Sequence, residues 1–222
     1  MNEKLLFKIG SKINICGSSG SGKTWWLVNY LTKVDDRYDE VIWITNALSA
    51  EQELIKELKK KLGNRFVLKV GLEDEAGLKE MFKENHDDKI KTAVILDDLM
   101  MEQGKFTAEL FLAGRHLNLT IFQIVQSIFT GSKQSRNMSN NVQYYCLFNF
   151  PDKLSIVELA RRLTTNKTDK EAVVEAWKNA TSKRGGCLIV DMITSQSELE
   201  DANLLKFRDT DMNIIFKSLA NA

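Results

Sequence analysis

The sequence predicts an α/β protein in which helices cover both faces of a mostly parallel β-sheet, giving a three-layer α/β/α sandwich. Short apolar runs alternate with longer segments of helical periodicity along the 222 residues, which is typical of strands joined by helices. Runs such as "AVILD" and "GCLIVD" are apolar throughout, as expected for parallel strands that are covered on both faces. Ligands of such sheets bind at the carboxyl ends of the strands, so chemical residues are expected there.

Each predicted strand is a short run rich in Val, Ile, Leu or aromatic residues, and each predicted helix repeats apolar residues at a spacing of three and four. The predicted strands are 12–16, 40–45, 65–70, 92–97, 119–125, 143–148 and 186–192. The predicted helices are 22–33, 50–62, 75–84, 107–117, 154–163 and 170–181. We expect one domain, 1–222, with a core of about 12–192 and a C-terminal tail at 193–222.

Charge and cysteine content narrow the function classes. The 31 basic and 30 acidic residues give a net charge of +1, so any DNA contact must come from local patches or from a ring of subunits. Cys16, Cys146 and Cys187 lie in apolar runs without a CxxC pair, which predicts buried reduced thiols and no zinc site.

The N-terminus has no apolar signal region, and no apolar run reaches membrane-spanning length. A soluble intracellular protein is therefore expected.

The stretch "KINICGSSGSGKTWW" contains a phosphate-binding motif. Its segment fits GxxxxGK[ST] at each fixed position, between a predicted strand and a predicted helix. The motif consists of Gly17, Ser18, Ser19, Gly20, Ser21, Gly22, Lys23 and Thr24. Its backbone N–H groups and the helix N-terminus suit phosphate binding. Lys23 is expected to reach the β- and γ-phosphates and Thr24 to ligate Mg²⁺. Trp25 and Trp26 follow, and both are expected to pack in the core rather than to stack on a base.

The strand "KTAVILDDLMM" places Asp97 and Asp98 at its carboxyl end. A carboxylate at this position beside a phosphate-binding loop holds Mg²⁺, which we assign to Asp97. A second carboxylate can polarise the attacking water, which we assign to Asp98. This pair indicates hydrolysis of the nucleotide rather than transfer to a small molecule.

The next strand, in "NLTIFQIVQS", ends at Gln126. If this strand lies beside the first strand, the amide of Gln126 emerges close to the γ-phosphate and can sense it. Gln123 should then point to the opposite face of the sheet. The alternative is a polar strand end that makes ordinary loop hydrogen bonds.

Two arginines flank that strand. Arg115 ends the predicted helix before it, and Arg136 lies in the loop 130–141 after it. Either could reach the nucleotide of a neighbouring subunit in a ring, where such an arginine is worth about 10³–10⁵ in rate. Arg115 is the preferred candidate. Surface positions or DNA phosphate contacts remain alternatives for both, and the same loop is a candidate DNA contact. His116 is expected to make a structural hydrogen bond.

In this order the motifs "GSSGSGKT", "AVILDDLM", "GRHLNLTIFQIVQS" and "SRNMSNNVQYYCLFNFPD" resemble the FtsK–HerA superfamily of P-loop ATPases. More narrowly, the chain resembles the genome-packaging ATPases of large DNA viruses, virophages and Polinton-like elements. The later "GGCLIVDM" and "LLKFRD" resemble the last strand and basic tail of that family. Many members carry Asp-Glu where this chain has Asp97-Asp98.

The resemblance implies a P-loop NTPase fold of the ASCE or RecA-like type and an ATP-driven, Mg²⁺-dependent translocase of double-stranded DNA. It implies a homo-oligomeric ring, a pentamer or hexamer, at a capsid or portal vertex. The location implied is the host cytoplasm or the viral assembly site, including association with the virion.

The sequence also bears on four other functions. A GTPase is suggested by "NKTD" at 166–169, but this motif follows a helical segment and Met100 stands where a DxxG motif needs glycine. An AAA+ remodelling ATPase needs a C-terminal helical lid, for which 30 residues after Met192 are few. A conjugation or plasmid-type translocase of the same superfamily remains open. A module that only holds nucleotide is disfavoured because Lys23 and the acidic pair are both present.

Overall fold

The computed structural model describes most of the sheet and four long helices. The described residues are 7–34, 36–46, 49, 52–71, 77, 80, 90–97, 99, 110, 118–129, 141–151, 153–164, 166–193, 204–210 and 214–219. Within them, no helix is long and apolar enough to cross a membrane.

Nine strands and four α-helices follow one another along the described chain. The strands are β1 (Lys12–Cys16), β2 (Glu40–Thr45), β3 (Phe66–Val70), β4 (Thr92–Asp97), β5 (Leu119–Val125), β6 (Tyr144–Leu147), β7 (Leu188–Asp191), β8 (Leu204–Arg208) and β9 (Ile214–Leu219). The helices are α1 (Lys23–Lys33), α2 (Glu53–Leu62), α3 (Lys153–Leu163) and α4 (Lys167–Ala180), and a short 3₁₀ turn, Gly63–Arg65, follows α2.

The strands form one sheet in the order β3-β2-β4-β5-β1-β6-β7-β8-β9. The six strands from β3 to β6 in this order are parallel to one another. Each of the three remaining strands, β7, β8 and β9, runs antiparallel to the strand before it in this order. Strand β5 lies between β4 and β1, so the carboxyl ends of these three neighbours meet at one edge of the sheet. The motifs that follow β1, β4 and β5 in the sequence are thereby brought together.

Both faces of the central strands are buried, which confirms the three-layer arrangement. On β4, Val94 and Leu96 belong to one apolar cluster, together with side chains of α3 and α4. Ala93 and Ile95 belong to a second cluster, together with side chains of α1 and α2. Because successive side chains of a strand point to opposite faces, a strand covered on both sides must be apolar at every position.

The predicted bounds of β1, β2, β4 and β5 are those observed, and the other predicted strands differ at their ends by one or two residues. The predicted helices 75–84 and 107–117 lie mostly outside the described residues. The segment 193–222 was expected to be a tail, but it contains β8 and β9, which extend the sheet. The sequence does not predict these strands, because the short run "LLKFRD" resembles a basic tail when it is considered without its neighbours in the sheet.

A buried ion pair joins β7 to β8. Arg208 donates from Nη2 (3.1 Å) and Nε (3.3 Å) to Oδ2 of Asp191, and the two side chains are only 11% and 10% exposed. Asp191 Oδ1 accepts a further hydrogen bond from the backbone N–H of Ile193, at 3.1 Å.

Replacing Asp191 by alanine is expected to lower the free energy of unfolding by about 3 kcal/mol, because it removes the carboxylate that accepts two hydrogen bonds from the largely buried Arg208 guanidinium. Equilibrium unfolding in urea measures the loss. Glu158→Ala is the control, because its pair with Arg162 is exposed on α3 and should contribute less than about 1 kcal/mol. Equal losses in the two variants would contradict the role given to the buried pair.

Candidate nucleotide-binding site

The loop between β1 and α1 is fixed to the ends of two neighbouring strands. The N–H of Gly17 donates to the carbonyl of Val125, the last residue of β5, at 3.2 Å. Both the N–H and the Oγ of Ser18 donate to the carbonyl of Asn149, just beyond β6, at 3.0 Å each. These hydrogen bonds hold the loop at the carboxyl edge of the sheet.

Two glycines of the loop occupy positions that a side chain could not share. A Cβ on Gly17 would lie 2.6 Å from the Cβ of Phe148 and 2.7 Å from the Oγ of Ser21. Gly22, the N-cap of α1, has φ = +101°, a conformation that other residues rarely adopt. These constraints explain why the loop needs glycine at both places.

Lys23 is buried in the first turn of α1 and bends back over its own loop. Its Nζ donates to the carbonyl oxygens of Gly17 at 2.6 Å and Ser18 at 2.8 Å. The ammonium therefore lies beside the N-terminus of α1, where the positive end of the helix dipole also lies. Both features favour an anion in the same place.

A cavity of about 280 Å³ opens above this loop. It is lined by Ser19, Gly20, Gly22, Lys23, Thr24, Trp25, Ser49, Gln52, Leu54, Asp97, Ile124, Val125, Gln126 and Arg184. The cavity thus unites residues of the loop with the ends of β4 and β5, as the sequence predicted. Asp98, Arg115 and Arg136 lie outside the described residues.

Asp97 is buried at the carboxyl end of β4, where it faces Ile124 of β5 in the sheet register. Asp97, which carries a carboxylate, and Thr24, which carries a hydroxyl, both line the same cavity. Hard oxygen donors of this kind suit Mg²⁺, which usually takes one or two protein oxygens and completes its shell with phosphate and water. The donor set therefore fits this ion. Among the residues that the structure describes, no group of three or more His, Cys, Asp or Glu could hold a metal by itself.

Gln126 stands just beyond β5, and it is exposed to the cavity. From the sequence, Gln126 is expected near the γ-phosphate if its strand lies beside the first strand. In the structure β5 pairs directly with β1. Gln123, three residues earlier, is buried within the sheet, and the alternation along a strand puts it on the other face. Gln126 and the phosphate-binding loop therefore line one cavity, and the sensor role of Gln126 stays a prediction.

The prediction that both tryptophans after the loop are core residues is right for Trp26 and wrong for Trp25. Trp26 is 6% exposed and stacks on Tyr30, with ring centroids 5.8 Å apart. Trp25 is 54% exposed and lines the cavity. Consecutive residues of an α-helix are about 100° apart around the axis, and the buried face of α1 includes Trp26, Leu27 and Leu31 but not Trp25.

Arg184 was not singled out by sequence reasoning, although it lines the cavity. It lies in the turn between α4 and β7, far in sequence from the other cavity residues. The turn comes close to the loop because both sides carry glycine: a Cβ on Gly22 would lie 2.9 Å from the Cα of Gly185. The only signal in the sequence was a basic residue before Gly-Gly. Ser49 and Gln52, ahead of α2, were also missed.

The "NKTD" segment caps a helix. Asn166 is the N-cap of α4: its Oδ1 accepts from the N–H of Asp169 at 2.8 Å, and its Nδ2 donates to Asp169 Oδ2 at 3.0 Å. The segment does not line the cavity that contains Lys23. This local role explains the motif without a guanine base.

The three cysteines are all buried and free, as predicted. Burial raises the pKa of the Cys16 thiol well above its usual range, and the charge of Lys23 opposes this only partly. The thiol next to the phosphate-binding loop is therefore neutral at physiological pH and is not a nucleophile.

The chain was compared with known families and structures. A sequence model of the family described as "Poxvirus A32 protein" matches residues 1–218. The chain belongs to this family. Its membership confirms the resemblance to viral genome-packaging ATPases that the motifs indicated. The sequence search of curated proteins found no match.

Solved structures are similar to the chain in fold. The genome-packaging NTPase B204 from Sulfolobus turreted icosahedral virus 2, in complex with sulfate, gives a TM-score of 0.58 at 14% identity, covering 90% of this chain and 96% of that one. Its complex with ATP-gammaS gives 0.56 at 13% identity, covering 89% and 95%. B204 from Sulfolobus turreted icosahedral virus, a DNA-packaging ATPase, gives 0.56 at 13% identity, covering 97% and 100%. These likenesses confirm the P-loop NTPase fold.

Proposed function

We propose that the protein is an ATP-hydrolysing motor that pumps double-stranded DNA into a preformed viral capsid. The observation that carries the proposal is the meeting of Lys23, Thr24, Asp97 and Gln126 in one cavity at the carboxyl ends of three adjacent parallel strands. Membership in the poxvirus A32 family and the fold shared with B204, a genome-packaging NTPase, support packaging over a conjugation-type or AAA+ role.

In this proposal the four residues that meet in the cavity act on different parts of the bound nucleotide. Lys23 leaves the carbonyls of its own loop and binds the β- and γ-phosphates, which are stronger acceptors because they are charged. Thr24 and Asp97 hold Mg²⁺, which neutralises charge on the phosphates when it is bound. Gln126 orients the attacking water and senses the γ-phosphate from the end of β5.

Three residues outside the described part of the chain complete the proposal. Asp98 follows Asp97 in the sequence, and we assign it to polarise the attacking water. Arg115 is our first candidate and Arg136 our second for an arginine that acts on the nucleotide of a neighbouring subunit. Such an arginine requires a ring, for which we propose five or six copies of this chain.

We also propose where the ring acts and what it contacts. The ring stands at a capsid or portal vertex, in the host cytoplasm or at the assembly site, and stays with the virion in some cases. The loop 130–141 contacts DNA phosphates, since its polar and basic residues follow β5 in the sequence. The whole chain, 1–222, acts as a single ATPase domain.

The test of the hydrolytic role is ATP turnover with and without double-stranded DNA. We expect DNA to stimulate turnover, and Asp98→Asn to lower it by about 10²–10⁴ while ATP still binds, because only the base is lost. Asp36→Asn is the matched control, since Asp36 is exposed in the turn before β2. Full activity of Asp98→Asn would remove Asp98 from the mechanism.

A further inference from the structure

Trp25 differs from the other tryptophans of the chain. It is 54% exposed, whereas Trp26, Trp43 and Trp177 are 6% exposed or less. A single exposed apolar side chain is ordinary on a protein surface. Trp25, however, lines the same cavity as Lys23 and Thr24, so a nucleotide bound in this cavity would lie close to Trp25.

The exposed indole is supported along one edge. A Cβ on Gly185 would lie 3.8 Å from Cζ3 and 3.9 Å from Cε3 of Trp25, so the turn before β7 runs beside the benzo ring. This turn is itself fixed, because the N–H of Gly186 donates to the carbonyl of Lys183 at 3.0 Å. A Cβ on Gly186 would lie only 2.1 Å from the carbonyl oxygen of Ala180. The tryptophan therefore has a rigid neighbour on one side and the cavity on another.

Position along the helix relates Trp25 to the phosphates. Thr24, the residue directly before it, belongs to the phosphate-binding motif, and one residue advances only about 1.5 Å along an α-helix. A triphosphate at Lys23 and Thr24 would leave its sugar and base to extend over the neighbouring wall. The described part of that wall offers one large flat apolar surface, and it is Trp25.

We propose that Trp25 is the platform on which the nucleobase stacks. This inference rests on the proposed function, because it requires that the loop binds a nucleoside triphosphate. It adds the base subsite, to which the sequence pattern assigned no residue because both Trp25 and Trp26 were expected to pack in the core. Stacking on an aromatic ring stabilises a base because both surfaces leave water and their π-faces meet.

Binding of two probes separates the base from the phosphates. The probes are Mg²⁺ with the non-hydrolysable ATP analogue adenosine 5′-(β,γ-imido)triphosphate, and Mg²⁺ with inorganic tripolyphosphate, which has no base. We expect Trp25→Ala to weaken binding of the analogue about 5- to 100-fold, to leave tripolyphosphate binding unchanged, and Trp25→Phe to restore most of the loss. Leu154→Ala is the control, because Leu154 is 78% exposed on α3 and does not line the cavity.

Fluorescence gives an independent readout. Because the other three tryptophans are buried, the analogue should quench mainly Trp25 and shield it from iodide, whereas tripolyphosphate should do neither. The quenching should be absent in Trp25→Ala.

The outcomes distinguish the two proposals. If the wild type binds neither probe, the proposed function fails and the base subsite with it. If it binds both, but Trp25→Ala binds the analogue as tightly as the wild type, only the base subsite is overturned. Equal loss of both probes would show that Trp25 merely shapes the loop. That result, too, overturns the inference.

Discussion

Replacing Lys23 by alanine is expected to lower ATP turnover by at least about 10²–10³-fold, the loss typical of removing one strong donor to transition-state charge. The ammonium is buried beside the loop and is already bound to two loop carbonyls at 2.6 and 2.8 Å. Alanine removes both the charge that attracts the phosphates and the clamp that shapes the loop. Steady-state release of phosphate in the presence of double-stranded DNA measures the effect.

Lys33→Ala controls for the loss of a positive charge on the same helix. Lys33 lies exposed in the last turn of α1, away from the cavity, and its replacement should leave turnover unchanged. Wild-type turnover in Lys23→Ala would show that hydrolysis happens elsewhere in the protein.

Replacing Asp97 by asparagine is expected to lower turnover by about 10²–10³-fold at millimolar Mg²⁺ through the loss of metal-held charge stabilisation. The side chain keeps its shape at the end of β4, but it loses the charge that binds the ion. Higher Mg²⁺ should restore part of the activity. Binding of ATP without Mg²⁺ should stay the same or become tighter, because the buried carboxylate no longer repels the phosphates.

Titration of Mg²⁺ against turnover and isothermal calorimetry of metal-free ATP check these two expectations. Asp36→Asn again controls for the chemical change at an exposed site. An unchanged Mg²⁺ dependence in Asp97→Asn would exclude Asp97 as a metal-binding residue and would leave it a structural role at the strand end.

Much of the sheet could be predicted because each of its strands is marked by its own run of apolar residues. Strands β1, β2, β4 and β5 are apolar runs with abrupt ends, for example at the Gly-rich loop after Cys16 and at Asp97. The candidate site followed from the same pattern, since parallel strands bring their carboxyl ends to one edge. The position of Gln126 required one further fact, that β5 lies beside β1, which is a matter of strand order rather than of any local signal.

The parts that could not be predicted depend on tertiary contacts. Arg184 enters the cavity only because Gly22 and Gly185 let two backbones approach closely. Strand β8 pairs with the edge of β7 and β9 pairs in turn with β8, both antiparallel, whereas the run "LLKFRD" resembles a basic tail in isolation. Trp25 could have been separated from Trp26 by helical spacing, because Trp26, Leu27, Tyr30 and Leu31 form one apolar face that does not include Trp25.

The most direct test of motor function is displacement of a triplex-forming strand from double-stranded DNA by the full-length protein. We expect the wild type to displace the strand only with hydrolysable ATP and Mg²⁺, and Lys23→Ala not to displace it. ATP hydrolysis that is indifferent to DNA, with no displacement of the strand, would contradict motor function.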